Sequence, residues 1–284
     1  MMMLKLTQDD FLKLRRLVYR GANPLLYTIW RCNYENANPE EFIELLTCYQ
    51  NADGGFGHAL EANCWNPNSS PYVTAMAIAI LNGLFGLTYT FANPQHPVLQ
   101  GILRYLASGA YATENGWLGL ADLPSNNDYS HAPWFHYHAD KESGQTDPKQ
   151  IVAFILQYDH PESALYKKAH QINSSLPSEI ALPDFHHYNP SKFICWEPLP
   201  TDIVETPASP LYNKYKELVE AELDGIVIRL QTLQELPIPG VDDVEDWPDL
   251  SWLDNQQVIS CYASTCGFII MQIEILRRFN RLAY

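Results

Sequence analysis

The sequence predicts an all-α fold, and three observations carry the prediction. Apolar residues recur at helical spacing in segment after segment. Several of those segments open on a cap residue followed by proline or acidic residues. No region alternates apolar and polar residues with period two between hairpin turns.

The elements follow in chain order. Thr7 with Asp10 reads as a capping box carrying Asp in place of Glu, ahead of Phe11, Leu14 and Val18 on one face. Gly21 is the expected stop. Asn38-Pro39-Glu40-Glu41 combines a cap, a first-turn proline and first-turn acids. Phe42, Leu45, Leu46 and Tyr49 follow at i, i+3, i+4 and i+7, with Glu44 off that face, so this helix is expected to be half-exposed. Val73 to Leu81 reads VTAMAIAIL, apolar all round but for Thr74, which predicts burial on every side. An amphipathic helix followed by an apolar one is the order expected of an outer and an inner layer.

The alternation recurs. His96 to Leu106 is amphipathic through Val98, Ile102, Tyr105 and Leu106. Asp147-Pro148 then precedes the apolar IVAFIL of Ile151 to Leu156. Further helices are expected near Pro161 to Ile172 and Pro210 to Leu233, the latter with Tyr215, Leu218, Glu222, Ile226 and Leu233 near one line. The last, Asn255 to Asn280, carries the apolar GFIIMQIEIL.

Composition bounds the function. The chain has 284 residues, 46% hydrophobic and 18% charged, enough for a substantial core. No Gly/Ser linker interrupts it, so one domain is expected over residues 1–284. The net charge of −15 argues against nucleic acid and anionic membrane surfaces as partners. Most of that charge falls between Glu197 and Asp254. No apolar stretch approaches the roughly 20 residues of a membrane span, and MMMLKLTQDDF lacks the apolar run of a signal peptide. The six cysteines form no CxxC pair. A cytoplasmic protein with reduced thiols, no metal and no cofactor is the expectation.

Residues 49–81, YQNADGGFGHALEANCWNPNSSPYVTAMAIAIL, carry the most specific signal. Gly54, Gly55 and Gly57 permit positive φ and close backbone approach, Gln50 can bond free N–H groups at a neighbouring helix start, and Phe56 can plug the gap between helices. This stretch resembles the repeat of the terpenoid cyclase and protein prenyltransferase superfamily, in which Gln, then Asp-Gly-Gly, then Phe or Trp closes each pair of outer and inner helices. Asn115-Gly116-Trp117 is similar to a second, eroded copy, and Asp246-Trp247 to a third. The resemblance implies an α/α toroid, a double ring of helices with a central cavity for an isoprenoid or other apolar or cyclic small molecule. The DxDD acid of the squalene cyclases does not occur, and Asn63-Cys64 stands without the Asp-x-Cys zinc pair of the prenyltransferases. Two other functions suit the same architecture: a non-catalytic toroid binding a ligand or a protein partner, and a glycan-acting enzyme with paired carboxylates.

Candidate chemistry gathers in two segments. Asp53, His58 and Glu61 are the candidate catalytic groups, His58 and Glu61 having the residue types of an acid–base pair. The alternative is that Asp53 and Glu61 cap helix ends. Trp65, Asn68, Trp134, His136 and His138 are the candidate ligand-pocket residues, joining aromatic rings to polar groups ahead of two inner-helix starts. The histidines of HAPWFHYH and of DFHHY, His186 and His187, also read as a packed aromatic loop with surface imidazoles, which is favoured over a metal site. Asp242 to Asp246 spells DDxxD between prolines and reads as a solvated acidic loop. Cys64 reads as a buried thiol rather than a nucleophile.

Overall fold

The computed structural model describes residues 3–175, 204, 206–233 and 255–284, with side chains from 262 onward in the last segment. The predicted class is the one the described residues adopt. They form nine α-helices and one two-stranded antiparallel ribbon: α1 Gln8–Gly21, α2 Pro24–Tyr34, α3 Pro39–Thr47, α4 Pro71–Leu81, α5 Pro97–Ala107, β1 Trp117–Leu118, β2 Gln145–Thr146, α6 Lys149–Tyr158, α7 Ala164–Ser175, α8 Tyr212–Thr232 and α9 Asn255–Arg278. The third repeat copy at Asp246-Trp247, the acidic DDxxD string, His186 and His187 lie outside the described residues.

The chain forms two compact units. One holds α1, α8, the C-terminal half of α9 and the tail. Its first helix is capped as expected: Thr7 Oγ1 accepts from Asp10 N at 3.2 Å, and Asp10 Oδ2 accepts from Thr7 N at 3.0 Å. Lys13 Nζ donates to Gln231 O at 2.6 Å, and Gln231 Nε2 donates to Asp10 Oδ2 at 2.9 Å, tying α1 to α8. The buried stripe of α8 runs through Val219, Glu222, Leu223, Ile226, Val227 and Leu230. It therefore shifts from the expected line: Tyr215, Leu218 and Leu233 are only half-buried. Leu6 and Leu282 pair as a short parallel bridge, and Arg281, 1% exposed, bonds Leu4 O, Asp224 and Glu220.

The other unit holds α2 to α7. Helix α2 was not among the sequence expectations. Its start carries the same signal as α3, a cap asparagine followed by proline: Asn23 Oδ1 accepts from Leu26 N at 2.9 Å, as Asn38 Oδ1 accepts from Glu40 N at 3.1 Å. The α3–α4 contrast is as predicted. Helix α3 buries Phe42, Ile43 and Leu46 and exposes Glu44. Helix α4 buries eight of its eleven residues, among them Val73, Thr74, Ile78 and Leu81, and packs against α6. Each such aliphatic side chain contributes roughly 1.5–3 kcal/mol by leaving water. Helix α7 starts later than Pro161 because Ser163 Oγ, accepting from Tyr166 N at 2.9 Å, supplies the cap.

The expected contrast does not recur at the second pair: α5 buries seven of its eleven residues, whereas α6 buries Ile151, Val152, Phe154 and Ile155 and exposes Lys149, Gln150, Ala153 and Gln157. Between α3 and α4, and again between α5 and α6, one aromatic residue is paired on both sides. After α3, Phe56 forms antiparallel bridges to Gln50 on one side and Ser70 on the other, immediately before α4. After α5, Trp117 pairs with Ala112 on one side and Thr146 on the other, shortly before α6. Phe56 is fully buried and Trp117 is 1% exposed; the strand that carries Trp117 lies against α4.

The first turn docks on α5 by backbone contact. A Cβ on Gly54, whose φ is +96°, would lie 2.0 Å from Gly101 O. Gly55 and Gly57 do not have positive φ; they are required because a Cβ would strike Ser69 and Pro67 O. Gln50 does reach a neighbouring helix start, but as a donor: its Nε2 bonds Gly54 O at 2.9 Å and Val98 O at 3.2 Å, so it satisfies carbonyls rather than free N–H groups. Phe56→Ala is expected to cost about 3–5 kcal/mol, and Gly54→Ala on the order of 3 kcal/mol from positive φ and overlap together. Urea unfolding measures both; a wild-type midpoint for either variant would show that the turn does not hold α4 and α5 in place.

Candidate functional site

The glycine turn builds a pocket. Asp53 Oδ1 accepts from Gly55 N at 2.9 Å and from Ser69 Oγ at 2.7 Å, which folds the turn over the residues preceding α4. Asn51 Nδ2 donates to Pro67 O and Ser69 Oγ, at 2.9 and 3.0 Å, and Asn51 Oδ1 accepts from His58 Nε2 at 2.8 Å. The open surface depression beside these groups has a volume of about 440 Å³ and is lined by Asn51, Asp53, Asn68, Ser69, Tyr105, Ala110 and Tyr111. Tyr105 is 2% exposed, and its hydroxyl, buried, has no hydrogen-bond partner. Burial first, and then the charge of Asp53, hold that hydroxyl above the usual tyrosine range, so it remains a donor. Tyr111, 38% exposed at the rim, sits at φ +55°, a conformation uncommon for a bulky residue.

Glu61 lies elsewhere, in a buried polar network. Its Oε1 accepts from Asn63 N and Asn63 Nδ2, both at 3.1 Å. Asn126 is fully buried: it donates to Leu120 O and Phe135 O at 2.7 and 3.0 Å and accepts from Asn66 Nδ2 at 2.8 Å. Cys64 Sγ donates to the same Asn126 oxygen at 3.5 Å, and burial pushes the thiol up to about 11, which leaves it a protonated thiol at neutral pH. Asn68 N donates to Asn66 Oδ1 at 3.0 Å, linking this network to the pocket wall.

The second predicted segment pairs with the first along its backbone. Cys64 and His131 form an antiparallel bridge, Trp65 N donates to Ser130 O at 2.8 Å, and Ala132 N donates to Asn63 O at 2.8 Å. The histidines of this loop form a directed chain. Tyr129 O can only accept, so His131 carries its proton on Nδ1, at 2.6 Å. In the neutral ring His131 Nε2 is then an acceptor, and His136 Nδ1 donates to it at 3.0 Å. His136 Nε2 faces the Asn127 amide at 3.5 Å, and Asn127 is oriented by the backbone of Tyr137 through both its atoms. His138 meets the edge of His136, with ring centroids 4.8 Å apart. Among the described residues no three His, Cys, Asp or Glu side chains gather as metal ligands.

The two predicted segments thus adjoin, while their side chains divide. Asp53 and Asn68 line the pocket, and His58 reaches it through Asn51. Glu61 is held by Asn63 in the interior, away from that lining. Trp65, Trp134, His136 and His138 belong to the paired loops and do not line the pocket. His58 bonds Asn51 rather than Glu61, so the acid–base pairing proposed for these two is not formed. Tyr105, Asn51, Ser69 and Tyr111 complete the lining and were not singled out from sequence. For Tyr105 the reason is plain: it shares a helical face with Ile102 and Leu106 and reads as core.

Burial holds the Glu61 carboxyl above its ordinary range, with the Asn63 bonds opposing it more weakly. The folded chain therefore binds that proton more tightly than the unfolded chain, and Glu61 costs stability as pH rises from the ordinary carboxylate value through the raised one. Glu61→Gln keeps an oxygen for both Asn63 donors and cannot ionise. Thermal melts from about pH 4 to 8 are expected to show the variant gaining over wild type as pH rises, with the two alike in acid. Long-range proton–nitrogen correlation spectra are expected to show His131 and His136 both protonated on Nδ1, and His58 on Nε2; an Nε2-protonated His136 would break the deduced chain. Comparisons of the chain with protein-family models, with curated proteins and with solved structures found no match.

Proposed function

We propose that this chain is a ligand-binding α/α repeat protein that takes a small hydrophilic molecule into the pocket at the glycine turn, its helices arranged as the double ring of the terpenoid cyclase and prenyltransferase repeat. The repeat reading is supported by the two buried rings, Phe56 and Trp117, each paired on both sides ahead of α4 and α6. It is supported too by the all-round burial of α4 and its packing on α6.

The ligand reading is carried by the polar groups left open around the depression: Asp53 Oδ2 and the exposed Asn68 side chain bond none of the described residues, and the partly exposed Tyr111 belongs to the same lining. An isoprenoid chain would strip water from Asp53 and Asn68 and bond neither. The lining therefore favours a hydrophilic ligand over the apolar one that the resemblance implies.

Asn68→Ala separates fold from function. It removes no hydrogen bond to a described residue and sits on the surface, so the variant is expected to fold within about 0.5 kcal/mol of wild type. Amide spectra of the labelled protein, titrated with a set of polar fragments and with farnesol, locate binding. Shifts from polar fragments at residues 51–55, 68–69 and 105–111, weakened in Asn68→Ala, are expected. Binding of farnesol there, with no response to any polar fragment, would defeat the reading.

A further inference from the structure

We infer that Asn115, in the turn that leads into Trp117, is a site of spontaneous deamidation, which converts it to aspartate and isoaspartate. The chemistry starts at the peptide nitrogen of the residue after the asparagine. That nitrogen gives up its proton to a solvent base and attacks the side-chain Cγ. The N–Cγ bond forms, the bond from Cγ to the side-chain nitrogen breaks, and that nitrogen leaves as ammonia. Water then opens the succinimide ring. Attack at Cγ breaks the new N–Cγ bond and gives aspartate. Attack at the main-chain carbonyl breaks the original peptide bond and gives isoaspartate, whose backbone runs through Cβ. A following glycine favours ring closure, because no side chain crowds the attacking nitrogen. A hydrogen bond donated by that nitrogen opposes it, because the bond must break before attack.

Four Asn or Asp residues precede a glycine in this chain: Asp53, Asn82, Asn115 and Asp224. Three of these pairs have the nitrogen engaged. Gly54 N donates to Asn51 O at 2.9 Å, and Asp53 Oδ1 is itself held by Gly55 N and Ser69 Oγ. Gly83 N donates to Ile80 O at 3.2 Å, at the end of α4. Gly225 lies inside α8, where the helical ladder takes its N–H, and Asp224 is paired with Arg281 at 2.7 Å. Asn115-Gly116 differs on both counts. Asn115 is exposed, and its side chain bonds none of the described residues. Gly116 O accepts from Thr113 N at 2.9 Å, but Gly116 N donates to none of the described residues. The turn is anchored instead by Leu118 N on Tyr111 O and by Lys168 Nζ on Thr113 O, at 2.9 and 2.8 Å. Residues 113–116 lie between the bridge partners Ala112 and Trp117. Both products add a negative charge to that turn, and isoaspartate adds a backbone carbon inside the bridge.

The test ages the full-length chain in mildly alkaline buffer and follows each site by peptide mapping with mass spectrometry, once folded and once in urea. In the folded chain Asn115 is expected to convert roughly 3–10-fold faster than Asn82, the margin being set by the Gly83 hydrogen bond. In urea neither nitrogen keeps its partner, and the margin is expected to close. Isoaspartyl methyltransferase with labelled S-adenosylmethionine gives a second readout. Methyl acceptance is expected to grow with age in the wild-type chain and to stay near its starting level in Asn115→Gln, which removes no bond to a described residue. Equal conversion of the two asparagines in the folded chain, or faster conversion of Asn82, would overturn the inference. So would an Asn115 that converts in urea but not when folded, or an Asn115→Gln chain that gains methyl acceptance as wild type does. A margin that persists in urea would trace the difference to flanking residues and overturn the role of the Gly116 amide.

Discussion

The first helical pair and the pocket depend on the contact between two backbones at Gly54 and Gly101. Two main chains can meet this closely only where neither carries a β-carbon on the facing side, and a Cβ on Gly54 would overlap Gly101 O. With the turn seated on α5, Gln50 reaches Val98 O, Gly55 lies against both Ser69 and Tyr105, and Phe56 drops beneath α4. The pocket is the space left beside that seat. Its walls come from the turn, from the residues before α4, and from α5 and the turn after it, so the contact that joins the elements also sets the distance between the lining groups.

Most buried polar groups of this unit are satisfied, and a few, Tyr105 Oη, Thr113 Oγ1 and Trp117 Nε1 among them, are not. Asn126 bonds two carbonyls and accepts from Asn66 and Cys64, and Glu61 accepts two bonds from Asn63. The imidazoles of His131 and His136 form a one-way chain ending on Tyr129 O. Networks satisfied in this way hold loops rigid and leave little for a ligand. Tyr105 is different: its hydroxyl is buried without a partner, although the residue lines the depression at the glycine turn. Trp117 Nε1 and Gln272 Oε1 also lack partners, but neither residue lines that depression.

The same accounting reassigns the residues around the motif. Asp53 is first a brace, linking Gly55 N to Ser69 through one oxygen, and its second oxygen bonds none of the described residues. His58 orients Asn51, which in turn fixes Ser69. Glu61, buried with its carboxyl held above the ordinary range, stabilises a loop interior and does not reach the pocket. A cluster that reads in sequence as one catalytic group is thus three structural devices, of which one lines the depression at the glycine turn.

The helical class, the caps at Thr7 and Asn38, the half-exposed α3, the buried α4 and the burial of Phe56 were all legible from residue order, because each depends on periodicity or on neighbours within a few positions. Helix α2 carries the same local signal, Asn-Pro, at its start. The pairing of residues 63–66 with 126–132, the meeting of Gly54 with Gly101, and the joining of Tyr105 to Asp53 depend on contacts across dozens of residues, which no local pattern encodes. Tyr105 shows the reason most directly. On its helix it is one more apolar-face residue, and only the turn folded against it from residues 51–55 makes its hydroxyl a buried donor without a partner. Sequence determined which segments are helical and that Phe56 is buried between them; tertiary packing alone decided which polar groups are left without partners, because that depends on every other group's partners.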